Sequence, residues 1–96
     1  LKDDEIASRI RMIGPWEYDS DDKILIRETM FKDFMEAMGF LNKLAESAEK
    51  LNHHPDMTLC EYNRVLVTTT THDSNGVTDN DIRLAKSFEE ILEGYD

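Results

Sequence analysis

Three histidines are the side chains of this sequence best suited to moving protons near neutral pH, because imidazole ordinarily titrates around pH 6.5. His53 and His54 are adjacent in KLNHHPD (50–56), and His72 follows four threonines in TTTTHDSNG (68–76). An imidazole both donates and accepts a proton, so two of them facing one substrate form an acid/base pair that needs no metal and no organic cofactor. His53 and His54 come just after a helical pattern. The negative end of a helix favours the protonated ring, so one of them is the expected acid and His72 the expected base, with the reverse assignment left open. A purely structural account stands beside this: adjacent histidines after a helix also serve as polar C-cap residues.

Other chemistry is less well supplied. Three histidines and a water make a catalytic zinc set, but His53 and His54 are neighbours in the chain and hard to aim at one ion, so no metal is expected. Thr68–Thr71 is first of all a β-forming run. Asp56, Asp73 and Asp81 read as turn, loop and cap residues. Cys60, the single cysteine, reads as packed within a strand. The sequence contains no glycine-rich phosphate loop.

The elements that must position the histidines follow from periodicity and breakers. Ile6, Ile10 and Ile13 give a helix over 3–13, stopped by Gly14-Pro15. Trp16–Asp19 and Lys23–Phe31 read as a hairpin around the acidic Ser20-Asp21-Asp22 turn. The helix over 32–51 shows an apolar stripe of Phe34, Met38, Leu41, Leu44 or Ala45, Ala48 and Leu51. Gly39 within it suggests close packing, Asn52 is the expected C-cap, and Pro55 forbids resumption. Met30, Met35 and Met38 are expected either in the core or on an oligomer interface. Residues 57–62 and 64–71 read as strands. Thr78 opens a last helix through the capping box TDND, with Ile82, Ala85, Phe88 and Leu92 inward. The order α-β-β-α-β-β-α predicts an α+β fold: a four-stranded antiparallel sheet with three helices packed on one face, as a single domain over 1–96. The open edges of such a sheet suggest an oligomer.

Composition sets outer limits. Twenty-one acidic against 11 basic residues give a formal charge of −10, which argues against direct contact with nucleic acid. No run of 18 apolar residues is present, so no membrane-spanning helix is expected. One cysteine fits a reducing compartment, with cytoplasmic and also nuclear location expected. The chain begins at Leu1, so it is expected to be part of a longer one, and removal of a targeting segment is compatible with that.

FKDFMEAMGFLNKLAESAEKLNHHPD (31–56) followed by YNRVLVTTTTHDSNGVTDNDIRLA (62–85) resembles the pterin-4a-carbinolamine dehydratase family, also known as dimerisation cofactors of a homeodomain transcription factor. His-His-Pro after a helix, then Tyr, then Thr-His, then Gly-hydrophobic-Thr-x-x-Asp occur in that family's order. The resemblance implies loss of water from a 4a-hydroxytetrahydropterin to give a quinonoid dihydropterin. It implies His53 and His72 as the acid/base pair, with His54 binding and polarising the substrate. It implies Asn52, Thr70, Thr71 and Asp73 as further residues lining the pterin, no cofactor, and a homodimer or homotetramer in which the helix 32–51 takes part. Relatives of this kind also stabilise a transcription-factor dimer, so a non-catalytic binding module is the alternative. Two departures adjoin the site. From His54 to Tyr62 the chain is one residue longer than the family's usual interval, which predicts a bulge or longer loop entering the third strand. Met57 replaces a common aromatic.

Overall fold

Asp3, Asp4 and Glu5 open the first helix and Arg9 and Arg11 close it, each sign at the dipole end that favours it. The computed structural model describes residues 1–95 and gives the order α1 (Asp3–Arg11), β1 (Glu17–Asp19), β2 (Ile24–Met30), α2 (Phe34–Leu51), β3 (Asp56–Cys60), β4 (Arg64–Thr69) and α3 (Asp79–Leu92), with a short 3₁₀ turn at His72–Ser74 before the last helix. The four strands form one antiparallel sheet in the order β1-β2-β4-β3. This is the α+β arrangement expected from the pattern.

Strand alternation decides where the core lies. Leu25 and Arg27 of β2 and Val65, Val67 and Thr69 of β4 are buried on the face that meets the helices. Phe40, Leu44 and Ala48 of α2 and Ile82, Ala85 and Phe88 of α3 fill the other side. Phe88 is at the centre, edge-on to Phe40 (ring centroids 4.8 Å apart) and to Trp16 (5.4 Å). Arg27, although buried, is satisfied: its Nε donates to Glu89 Oε2 at 2.8 Å, and the same oxygen accepts from Trp16 Nε1 at 2.9 Å. At the surface, Arg9 ties α1 to α3 through Asp79, and the guanidinium holds that carboxyl below its usual range.

Several expectations change in detail. The buried stripe of α2 is Ala37, Phe40, Leu44 and Ala48, whereas Phe34 and Met38 are exposed. Apolar residues surround much of this helix, so periodicity alone leaves its phase open. Met30 and Met35 are also exposed and not core. Gly39 marks no close approach: a Cβ there would meet only Tyr95 Oη, at 3.8 Å. The β3 register runs unbroken from Asp56–Thr68 to Cys60–Arg64, with no bulge at its entry. Left-handed residues occur instead in the β3–β4 turn, at Glu61 and Tyr62, at the opposite end of the strand from the histidines. β3 ends at Cys60 and β4 at Thr69, so Thr70 and Thr71 lie beyond the strand.

Candidate active site

Asn52 determines how the first two histidines are presented. It adopts the left-handed conformation (φ 53°, ψ 42°) that ends α2, and the His53 N–H turns back to donate to Ala48 O at 3.1 Å. The reversal sends His53 inward and leaves His54 exposed. Capping of α3 supplies the partner. The Asp81 carboxylate accepts from the Thr78 backbone N–H (2.9 Å to Oδ2), closing the capping box.

Asp81 does more than cap. Its Oδ1 accepts from His53 Nε2 and from Thr69 Oγ1, both at 2.6 Å, and its Oδ2 also accepts from Thr71 Oγ1 at 2.8 Å. The carboxylate is fully buried and every oxygen is matched to donors. As a carboxylate it accepts, so His53 Nε2 is the nitrogen that donates to it. One contact therefore fixes the orientation of this imidazole. The His53 side chain remains 12% exposed, and that edge is all that a substrate can reach.

His54 and His72 belong to a different surface. They line one small cavity, about 140 Å³, together with Ile24, Asp56, Thr68, Thr69 and Thr70. His54 Nε2 is 3.0 Å from Glu49 Oε1, a contact open to solvent. His72 starts the 3₁₀ turn, which is fastened by Thr71 and Gly76 pairing in both directions (Thr71 N to Gly76 O 3.0 Å, Gly76 N to Thr71 O 3.3 Å). Thr69 is the link between the two surfaces, since it is on the cavity wall and also donates to the carboxylate that holds His53.

The structure thus brings His54, His72 and Thr70 onto one cavity, with His53 connected to it only through Asp81 and Thr69. Thr70 Oγ1 donates to Lys23 O at 2.8 Å, which ties the cavity to the β1–β2 turn. Thr71 points to the start of α3, bonding Asp81 and Thr78. Asn52 and Asp73 are exposed and are not on the wall. Among the described residues no group of three His, Cys, Asp or Glu side chains converges as metal ligands would. The residue missed from sequence is Asp81 in its second role. Its place in a capping box accounts for the carboxylate so completely that nothing local points to His53.

The profile of the family described as Pterin 4 alpha carbinolamine dehydratase matches residues 1–91. A relative named for pterin-4-alpha-carbinolamine dehydratase from Thermomicrobium roseum is 46% identical over 95% of both chains. One of the same name from Sulfurisphaera tokodaii is 39% identical over 96% of both. The crystal structure of a transcriptional coactivator/pterin dehydratase from Brucella melitensis superposes with a TM-score of 0.89 at 40% identity, covering 95% of this chain and 96% of that one. A profile match over nearly all the chain, identity on this scale and a shared fold agree with the motifs at 50–56 and 68–81, and the chain belongs to the pterin-4-alpha-carbinolamine dehydratase family of enzymes.

Proposed function

We propose that this chain dehydrates 4a-hydroxytetrahydropterins to quinonoid dihydropterins, returning the cofactor of aromatic hydroxylation to a reducible form. The observation that supports this is a cavity walled by His54 and His72, joined through Thr69 to the buried Asp81 carboxylate that holds His53. The base removes the proton on N5, the electron pair forms the N5–C4a double bond, and the C4a–O bond breaks as the acid protonates the leaving hydroxyl. One proton enters and one leaves, so two imidazoles suffice. His53 and His72 are the proton carriers. Asp81 keeps the His53 ring in one orientation, as carboxylate–imidazole pairs do in other proton-transfer sites. His54, exposed and on the wall, binds and polarises the ring. Thr70 and the backbone beside it offer the donors and acceptors that a flat heterocycle requires.

The test follows the absorbance of freshly generated 4a-hydroxytetrahydropterin, with and without prior chelation. Acceleration that survives the chelator is expected. His53→Ala and His72→Ala each lower kcat by about 10²–10⁴-fold, and His54→Ala acts mainly on KM. Full kcat in the His53 variant with loss in the His54 variant would transfer the proton to His54. No acceleration in any form would leave the binding-module reading.

A second property rests on exposed apolar area. Phe34, Met35 and Met38 of α2 are solvent-facing alongside Met30 at the end of β2. We propose that this face takes part in a homodimer or homotetramer, and it is also the surface a transcription-factor partner would meet. Met38→Glu is expected to lower the sedimentation coefficient while leaving the fold intact; an unchanged value removes α2 from the interface.

A further inference from the structure

We propose that Thr69 is a positioning residue for proton transfer: its hydroxyl, acting through Asp81, holds the His53 imidazole in its working orientation. The inference deepens the dehydratase reading and rests on it. It starts from a residue type that breaks a pattern. β4 alternates strictly, with Val65, Val67 and Thr69 turned into the core and their neighbours only half-buried. The two valines show what packing alone asks of that face. Thr69 is 3% exposed, and a hydroxyl so deeply buried costs free energy unless it is bonded.

The bond it makes falls on one particular oxygen. Asp81 Oδ2 takes the donors that fasten the start of α3, the Thr78 N–H at 2.9 Å and Thr71 Oγ1 at 2.8 Å. Asp81 Oδ1 takes His53 Nε2 and Thr69 Oγ1, both at 2.6 Å. The helix cap is therefore complete without Thr69. What Thr69 adds is a second fixed point for the carboxylate, on the oxygen that meets His53. Held at Oδ2 alone, the group can pivot, and the imidazole follows it.

Thr69 is itself well anchored. It lies opposite Leu25 in the register of β2 and β4, at the middle of the sheet order. It also lines the cavity with His54 and His72, and among the described residues no other member of that wall bonds Asp81. Thr69 thus sets His53 in register with the wall on which His72 lies. Such registration matters because a misplacement of about 1 Å can cost about 10²-fold in rate.

The experiment begins with Thr69→Val, which keeps the β-branched shape and continues the pattern of Val65 and Val67. Asp81 Oδ1 retains His53 as a donor in that variant, so no buried oxygen is orphaned and the fold is expected to hold. For 4a-hydroxytetrahydropterin, kcat is expected to fall about tenfold while KM changes by less than about twofold. Thr69→Ser keeps the hydroxyl without the methyl group and is expected to recover most of that loss. In ¹⁵N-labelled protein the His53 Nε2 proton, assigned by its disappearance in His53→Ala, is expected to exchange with water faster in Thr69→Val than in the wild type. Added to Asp81→Asn, Thr69→Val is expected to lower kcat no further, because the effect passes through the carboxylate. Unchanged kcat and unchanged proton exchange in Thr69→Val would make Thr69 a packing residue and overturn the inference. Equal losses in the Val and Ser variants would assign the effect to the methyl group and overturn it as well. Wild-type protein that turns over no 4a-hydroxytetrahydropterin would instead remove the dehydratase reading, and exchange of the His53 proton would still decide whether Thr69 holds that ring.

Discussion

His53 Nε2 and Asp81 Oδ1 are 2.6 Å apart although 28 residues separate them in sequence, so one hydrogen bond joins the C-terminal end of α2 to the first turn of α3. The carboxylate that starts one helix thereby aims the imidazole that follows another. Asp81→Asn preserves the volume but sets an NH₂ group against donors on one side. That mismatch is expected to cost about 1–3 kcal/mol of stability. If Asp81 also positions His53, kcat falls by about 10²-fold in the protein that remains folded, and the pH profile of kcat changes. A purely structural Asp81 would lower the melting temperature and leave both kcat and its pH profile unchanged.

Gly14 makes room for the buried ion pair under the sheet. A Cβ at Gly14 would lie 2.8 Å from Glu89 Cδ, and Glu89 is the partner of both Arg27 and Trp16. Gly14→Ala gains about 0.4–1 kcal/mol by restricting the unfolded chain. Displacing Glu89 costs more, so a net loss of about 1–3 kcal/mol is expected. Glu89→Ala leaves the Arg27 guanidinium buried without its carboxylate and costs about 3–5 kcal/mol. The cycle decides the cause: Gly14→Ala added to Glu89→Ala is expected to cost nothing further in urea denaturation. Additive losses would place the strain elsewhere.

Punctuation residues made much of this fold legible. Gly14-Pro15, the Ser-Asp-Asp turn, Asn52 and the Thr78 capping box each act within a few residues, and each occurs where local chemistry puts it. The phase of α2 was not legible. Phe34, Met35, Ala37, Met38, Phe40 and Leu41 are all apolar, and only the sheet beneath decides that Ala37 and Phe40 turn inward. The histidines stood out in the sequence through their type and their places after a helix and a strand. Their different surroundings did not, because Thr69, Asp81 and His53 meet only when β4, α3 and the end of α2 pack together.

Tyr18 gives the stability a pH dependence on the alkaline side. Its hydroxyl donates to Asp3 Oδ1 at 2.7 Å; burial first, and then that bond and the charges of Asp3 and Asp19, push its pKa from 10.0 up to about 12. The folded chain holds this proton more tightly than the unfolded chain. The contribution is therefore fully present below pH 10 and is lost as pH rises toward 12. The stability difference between wild type and Tyr18→Phe, measured by urea denaturation, is expected to be constant up to pH 9 and to shrink above pH 10. A difference that stays level to pH 12 would mean that the phenol ionises alike in both states.

Asn52 separates a backbone role from a binding role in the same residue. At φ 53° a Cβ is unfavourable, and Asn tolerates the conformation better than Ala. Asn52→Ala is therefore expected to lose about 1 kcal/mol, whereas Asn52→Gly, which adopts that conformation freely, changes stability by only a few tenths. The family resemblance puts Asn52 among the residues lining the pterin, but its side chain is exposed and is not on the wall that His54 and His72 form. The Gly variant keeps the reversal of the chain that turns His53 toward Asp81 and removes only the amide. Its KM for 4a-hydroxytetrahydropterin is expected to match the wild type, and its kcat likewise. A raised KM in the Gly variant, with the His53–Asp81 pH profile intact, would show that the amide itself touches the substrate and that the pterin reaches further along the end of α2 than the cavity between His54 and His72.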